Sequence, residues 1–300
     1  MQIGFIGLGK MGLNMVTRLL RSGDHEVVVY NKSRPSIDTA VKIGAVKARS
    51  LKEMASKLER PRTIWLMIPS GPPVDGVIER LVPLLTKDDT IVDGGNSNYK
   101  DSVRRAKELS KKGVNFLDAG TSGGVWGLTE GYCLMVGGRK RVFKRVKPVF
   151  ETLAPEGGYT YTGPSGSGHY VKMVHNGIEY GMLQAYAEGF SLLEASDFDL
   201  DLEDLSRLWN HGSVIRSWLL ELCENVFDRD PDLEKIKPYV EDSGEGRWTI
   251  LDSLEKDRAC PVITLSLLAR LRSREENPFA ARVIAALRHE FGGHGVKAKK

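Results

Sequence analysis

Lys172, His175, Asn176, Glu179 and Tyr180 fall at positions i, i+3, i+4, i+7 and i+8 of one stretch, the spacing at which side chains of an α-helix share a face. Such a stripe is normally apolar, and here every member carries a polar group. Over two turns it separates Lys172 from Glu179 by roughly 10 Å of rise, enough to lie along a chain of about six carbons. A desolvated lysine can serve as the base that takes a proton from an alcohol, and a carboxyl group can act as the acid that returns one. A solvated helix face is the other reading of the same spacing. Against it, His and Asn are poor helix formers, and Met173, Val174, Ile178, Met182 and Leu183 flank the stripe. Protein is therefore expected around this helix, with a ligand in front of its polar groups.

A second group of residues suits a different partner. Gly7-Leu8-Gly9-Lys10-Met11-Gly12 has the form G-x-G-x-x-G, directly after the apolar run Ile3 to Ile6 and before a helical pattern that ends near Ser22. In that context Gly7 allows a tight turn, Gly9 lets backbone N–H groups approach a pyrophosphate, and Gly12 allows close packing of helix on strand. The helix N-terminus adds partial positive charge. The motif predicts a bound nicotinamide dinucleotide, with Lys10 and Met11 inside the binding loop. About 20 residues on, where an NAD site usually has Asp or Glu, the chain has Asn31, followed by Lys32, Ser33 and Arg34. Nothing there repels a 2′-phosphate and two cations can pair with it, so NADP is favoured over NAD.

Asn96 follows Asp93-Gly94-Gly95, and Ser122-Gly123-Gly124 follows an apolar run ending at Asp118. Both lie where the C-terminal ends of strands are expected, and their amide, hydroxyl and backbone donors suit a carboxylate or sugar hydroxyls. Asn96 is a candidate contact to both substrate and cofactor. No metal is expected: His289-Glu290 and His294 do not have the H-E-x-x-H spacing, and Cys133, Cys223 and Cys260 are too scattered for a zinc site or a disulfide framework. His25 and His211 suit packing or surface roles.

These groups need elements to hold them. Short apolar runs at Ile3 to Ile6, Val27 to Tyr30, Ile64 to Ile68, Ile91 to Asp93, Phe116 to Asp118 and Cys133 to Val136 alternate with helical patterns. That rhythm predicts an α/β, Rossmann-type, doubly wound and mostly parallel sheet over residues 1–164. Beyond Thr162-Gly163-Pro164 strand signals cease. Ser165 or Ser167 can cap a long central helix running to about Ser196, with further helices from Leu202, Ile215, Thr249, Val262 and Pro278. Residues 165–300 therefore read as an all-helical domain. The 300 residues, 41% hydrophobic, are enough for two cores. The 43 basic and 39 acidic residues, net +4, are dispersed, so no face for nucleic acid is expected. No apolar run approaches the ~18 residues of a membrane span. With no secretion signal in the pattern at the N-terminus, a cytoplasmic protein is expected. Lys297 to Lys300 read as a solvated tail.

Taken together the residues resemble the 6-phosphogluconate dehydrogenases in their shorter form, over nearly the whole chain. The resemblance rests on Gly7-Leu8-Gly9-Lys10-Met11-Gly12-Leu13-Asn14, Asp93-Gly94-Gly95-Asn96-Ser97, and Gly120-Thr121-Ser122-Gly123-Gly124-Val125-Trp126-Gly127. It rests further on Lys172-Met173-Val174-His175-Asn176-Gly177-Ile178-Glu179-Tyr180, the most specific of the set, and on Gly244-Glu245-Gly246-Arg247-Trp248-Thr249. It implies oxidative decarboxylation of 6-phosphogluconate to ribulose 5-phosphate and CO2. Lys172 is then the base at the C3 hydroxyl and Glu179 the acid that protonates C1 of the enediol left after CO2 is lost. Asn96, Ser122, Gly123, Gly124, His175 and Asn176 are implied contacts to the carboxylate and hydroxyls. Tyr180 and Arg270 are implied phosphate contacts, with Arg272 and Arg274 close enough to compete. Arg288 and His294 resemble the tail that enters a neighbouring subunit's site, implying a homodimer or homotetramer. The chain departs from longer members at Ser243 and Arg247, where those have lysines. Two other readings share parts of the pattern: a 3-hydroxyisobutyrate or tartronate semialdehyde type of β-hydroxyacid dehydrogenase, and a catalytically silent dinucleotide-binding module.

Overall fold

In β1, Gln2–Ile6, and β2, Glu26–Tyr30, the apolar side chains are buried whichever way they point. Phe5 and Val29 join one core cluster, while their neighbours Ile6 and Val28 join another on the opposite face. Successive strand residues point to opposite faces, so continuous apolar runs mark a sheet covered on both sides. The computed structural model describes residues 1–276, 278–292 and 297.

Six further strands complete the sheet: β3 Val46–Lys47, β4 Thr63–Leu66, β5 Thr90–Asp93, β6 Asn115–Ser122, β7 Cys133–Gly138 and β8 Tyr159–Gly163. Their order is β3-β2-β1-β4-β5-β6-β7-β8. All pairings are parallel except β6 with β7, which is antiparallel. The helices between them are α1 Lys10–Arg21, α2 Arg34–Lys42, α3 Leu51–Lys57, α4 Pro72–Leu81, α5 Tyr99–Ser110 and α6 Lys140–Leu153. Met15, Val16 and Leu19 of α1 and Phe143, Val146 and Phe150 of α6 cover one face, and Met54 of α3 with Val74, Val77 and Ile78 of α4 cover the other. This is the expected Rossmann-type arrangement. The sequence reading passed over β3 and β8. Both are edge strands that are only partly buried, so neither needs the apolar run that reveals an inner strand.

The chain divides into two compact units, Met1–Asn176 and Gly177–Lys300. The long helix α7, Ser167–Glu194, begins in the first and ends in the second. Of its flanking apolar residues Met173 is buried, whereas Ile178, Met182 and Leu183 are exposed; the sequence reading expected protein around all of them. The second unit is helical, with α8 Leu202–Trp209, α9 Trp218–Arg229, α10 Glu245–Glu255, α11 Pro261–Arg272 and α12 Phe279–Gly292. Phe190 of α7 packs with Leu220 and Phe227 of α9, bordered by Leu202 and Trp209 of α8. Two starts differ from expectation. α9 begins after Ser217, whose hydroxyl caps Leu220 N–H at 3.1 Å. α10 begins after Gly244, at φ +104°, so Thr249 lies one turn inside. Among the described residues no helix is long and apolar enough to cross a membrane.

Candidate active site

The glycines of the first loop have separate causes. Gly7 has φ +98°, and a Cβ there would stand 2.1 Å from the Met67 carbonyl oxygen; one on Gly12 would stand 2.1 Å from that of Gly7. The fold itself demands both. A Cβ on Gly9 meets nothing within 4 Å, so that smallness serves something that approaches from outside. Gly9 is also the N-cap of α1, without a side-chain cap and with no acidic residue in the first turn, which leaves the helix N–H groups open to an anion. These features fit a dinucleotide pyrophosphate. Asn31 steadies the loop: its Oδ1 accepts from Leu8 N–H at 3.3 Å and its Nδ2 donates to the Ser33 carbonyl at 3.2 Å. Lys32, Ser33 and Arg34 are exposed at the start of α2, where Ser33 is the N-cap and makes no side-chain cap bond. Hydroxyl, helix N-terminus and two cations thus face solvent together, and the group fits the 2′-phosphate of NADP. Lys10 is exposed and Met11 half-buried.

At the C-terminal end of β5, the buried Asp93 carboxylate accepts from Gly95 N–H at 3.0 Å and from the Ser97 hydroxyl at 2.7 Å. The buried Arg105 guanidinium pairs with it at 3.3 Å, with Asp75 at 2.8 Å, and donates to the Gly71 carbonyl at 3.0 Å. One side chain of α5 thereby ties the end of β5 to the start of α4. The same guanidinium holds the Asp75 carboxyl below its ordinary range. Asn96 has φ +53°, and its side-chain amide clamps β6: Nδ2 donates to the Thr121 carbonyl at 3.0 Å and Oδ1 accepts from Thr121 N–H at 2.8 Å. Most of that amide is thus spent on the clamp, leaving one N–H for a ligand.

Ser122, Gly123 and Gly124 follow at the end of β6. Gly123 and Gly124 have φ +125° and +52°, and a Cβ on Gly124 would meet nothing within 4 Å. The 3-10 turn beyond them, Gly124–Leu128, is fastened to α1: Asn14 Nδ2 donates to the Val125 carbonyl and an Arg18 nitrogen to that of Leu128, each at 3.1 Å. The glycine loop and this turn therefore hang from one helix.

Lys172 sits where α7 meets the sheet. A Cβ on Gly120 would lie 2.5 Å from Lys172 Cβ, and one on Gly168 would lie 2.3 Å from the Asp118 carbonyl oxygen. Glycines on both elements let the helix touch β6. The Asp118 carboxylate secures the start of α7, accepting from Gly166 N–H at 2.7 Å and His169 N–H at 3.0 Å. Burial pushes the Asp118 carboxyl up, against the pull of His169 and those N–H groups. Lys172 is 4% exposed. Its Nζ donates to Asn176 Oδ1 at 2.5 Å and lies 3.5 Å from His175 Nδ1, which is 3.0 Å from the same Oδ1. A buried amine, an imidazole and an amide thus share a hydrogen-bonded triangle in the unit that carries the glycine loop.

In the second unit Glu179 is half-buried and Tyr180 is 3% exposed. The Tyr180 hydroxyl donates to Asp242 Oδ1 at 3.2 Å, accepts from Ser243 N–H at 3.3 Å, and lies 3.3 Å from Ser243 Oγ. The Arg270 guanidinium lies 3.4 Å over the Tyr180 ring centroid and donates to the Glu241 carbonyl at 3.0 Å. Arg272 pairs instead with Glu275 at 3.1 Å, and Arg274 donates to the Val240 carbonyl at 2.9 Å. Arg270 is therefore the one beside Tyr180. Arg247 pairs with Asp242 at 2.8 Å. Burial raises the Asp242 carboxyl, but Arg247, Gly244 N–H and Tyr180 outweigh it and hold the group below its ordinary range. Arg288 is exposed on α12, and His294 lies outside the described residues. Among the described residues no cluster of His, Cys, Asp or Glu could hold a metal.

Sequence reasoning passed over Asp242, Thr121, Arg105 and Arg18. Asp242 had a faint signal, the turn pattern Asp242-Ser243-Gly244. Arg105 had none, because its neighbour Arg104 fits the helical pattern equally well.

The chain matches the NAD binding domain of 6-phosphogluconate dehydrogenase over residues 2–163 and the 6-phosphogluconate dehydrogenase C-terminal domain over residues 168–290. It is 45% identical to the "6-phosphogluconate dehydrogenase, NAD(+)-dependent, decarboxylating" of Haloferax volcanii, covering 100% of this chain and 99% of that one. The "6-phosphogluconate dehydrogenase, decarboxylating" of Staphylococcus epidermidis is 37% identical over 97% of this chain, which spans 66% of that longer protein. Among solved structures, Plasmodium falciparum 6-phosphogluconate dehydrogenase, studied in its apo form and with NADP+ and 6-phosphogluconate, superimposes with a TM-score of 0.83 at 31% identity, over 100% of this chain and 66% of that one. The chain belongs to the 6-phosphogluconate dehydrogenase family.

Proposed function

We propose that this chain oxidises and decarboxylates 6-phosphogluconate to ribulose 5-phosphate and CO2, with NADP favoured over NAD as the hydride acceptor. The observation that carries the reading is Lys172: a buried amine within 2.5 Å of Asn176 Oδ1, in the same compact unit as an open glycine loop. A base of that kind beside a dinucleotide is what alcohol oxidation needs. The names of the family relatives support the substrate.

The sugar acid lies along the polar face of α7. Lys172, as the uncharged amine, takes the proton of the C3 hydroxyl, while Asn176 Oδ1 fixes the amine's orientation. The bound nicotinamide supplies the acceptor for the C3 hydride. The resulting β-keto acid loses CO2 because its ketone can hold the electrons released from the breaking bond, and the Lys172 ammonium returns its proton to that oxygen, giving an enediol. Glu179 then protonates C1 of the enediol, the carbon that was C2 of the sugar acid, as Lys172 takes back the enediol proton and the ketone of the product forms. Ser122, the backbone at Gly123 and Gly124, His175, Asn176 and the remaining Asn96 N–H hold the carboxylate and hydroxyls. Tyr180 and Arg270 take the phosphate. Residues 1–164 act as the dinucleotide-binding domain and 165–300 as the substrate-binding and dimerisation domain. The active form is a homodimer or homotetramer in the cytoplasm, with Arg288 and His294 completing the neighbouring site.

The test is a paired steady-state assay of the purified protein on 6-phosphogluconate with NADP and with NAD. Reduced cofactor and CO2 are expected in equal amounts, with a higher kcat/KM for NADP. No turnover with either cofactor rejects the function, and turnover without CO2 returns the simple β-hydroxyacid dehydrogenase reading. The Haloferax relative's name makes it NAD-dependent, which is why both cofactors are measured side by side.

A further inference from the structure

We propose that Asp242 is a built-in anion in the phosphate-recognising corner of the second unit: its carboxylate occupies the donors that a substrate phosphate takes over on binding, and so sets the affinity for phosphorylated ligands. The inference rests on the reading of Tyr180 and Arg270 as phosphate contacts.

Counting donors leads to it. The Asp242 side chain is 4% exposed and its two oxygens collect four hydrogen bonds. Oδ1 accepts from the Tyr180 hydroxyl at 3.2 Å and Gly244 N–H at 3.0 Å. Oδ2 accepts from two Arg247 nitrogens at 3.2 and 2.8 Å. A hydroxyl, a backbone N–H at the start of a helix and a guanidinium are the donor set that holds phosphates. Here a carboxylate already fills it. Tyr180 has a single hydroxyl proton, and with Asp242 and Ser243 enclosing that oxygen a ligand gains the proton only by taking Asp242's place. Arg270 differs: it lies flat on the Tyr180 ring and spends one nitrogen on the Glu241 carbonyl, so most of its donors stay available. One arginine of the corner is therefore neutralised from within and the other is not. A phosphate brought near Arg270 meets like charge from Asp242 and competes with it for Tyr180, Gly244 and Arg247. An unphosphorylated sugar acid provokes no such exchange and leaves Asp242 in place.

A merely structural Asp242, holding Arg247 and the turn in shape, predicts the opposite sign, because its loss would loosen the corner and weaken phosphate binding. Titration calorimetry of the full chain with inorganic phosphate separates the two. Asp242→Asn keeps the size and the Gly244 bond, and is expected to bind phosphate roughly 5- to 10-fold more tightly than the parent, the scale of removing one nearby like charge in a partly solvated site. Unchanged or weaker binding by the folded variant overturns the proposal. Arg247→Gln gives an independent reading: it should weaken phosphate several-fold and, combined with Asp242→Asn, abolish most of that variant's gain. Wild-type affinity in Arg247→Gln also overturns it. In the kinetic assay, the KM for 6-phosphogluconate should fall in Asp242→Asn by the factor seen for phosphate, while the KM for gluconate stays put. Tighter phosphate binding without turnover of 6-phosphogluconate would keep this inference and reject the enzymatic reading; turnover without tighter phosphate binding would do the reverse.

Discussion

Three of the residues that the sequence singled out for contact with ligands also work for the fold. Asn96 spends most of its amide on Thr121, Asn31 braces Leu8, and Tyr180 is held by Asp242 and Ser243. Their residue types are fixed twice over, so substitution at any of them confounds binding with positioning. Lys32 and Arg34 are different, being exposed beside the uncapped Ser33. Replacing both with alanine should raise the KM for NADP about 10-fold or more, as the loss of a charge-assisted contact would, and leave NAD nearly unchanged. Steady-state kinetics with the two cofactors checks it, and equal loss for both would remove the 2′-phosphate from this corner.

At the scale of elements, the placement of Lys172 depends on how closely α7 approaches β6. The contact passes through Gly120 and Gly168, and Asp118 anchors the helix start. Gly120→Ala places a methyl group 2.5 Å from Lys172 Cβ and 2.7 Å from the Gly168 carbonyl oxygen, so the helix must shift. We expect a stability loss of about 1–3 kcal/mol and a fall in kcat of roughly 10- to 100-fold from the displaced base, with dinucleotide affinity nearly unchanged. Thermal melts and single-turnover rates measure the two effects, and a wild-type rate would show that this contact does not place Lys172. The inner strands were legible in the sequence, because burial on both faces demands the apolar runs at Val27 to Val29 and Ile64 to Leu66. The edge strands β3 and β8 were not, since an edge needs only backbone partners. The beginnings of α9 and α10 were misplaced for local reasons: the apolar pattern reaches back to Ile215, ahead of the Ser217 cap, while Gly244 is followed by Glu245-Gly246-Arg247, with no apolar side chain before Trp248.

On the scale of the whole molecule, the second unit carries exposed apolar side chains on successive helices: Val262, Leu265 and Leu268 of α11, and Phe279, Ile284 and Leu287 of α12. So much apolar surface is unusual for a free monomer. Sedimentation equilibrium at micromolar concentration should give at least twice the chain mass of 33.3 kDa, and a fully active monomer would reject the proposed assembly. The sequence by itself determined the fold class, the dinucleotide loop and the polar stripe of α7, because each is written in residues a few positions apart, where helical and strand periodicity turn spacing directly into geometry. Only the tertiary structure decided which of three arginines lies on Tyr180, that Arg105 ties the end of β5 to the start of α4, that the Asn96 amide clamps Thr121, and that a carboxylate already fills the corner proposed for phosphate. Those turn on contacts between residues as far as 90 positions apart, brought together by sheet order and helix packing, and no local pattern encodes such a pairing.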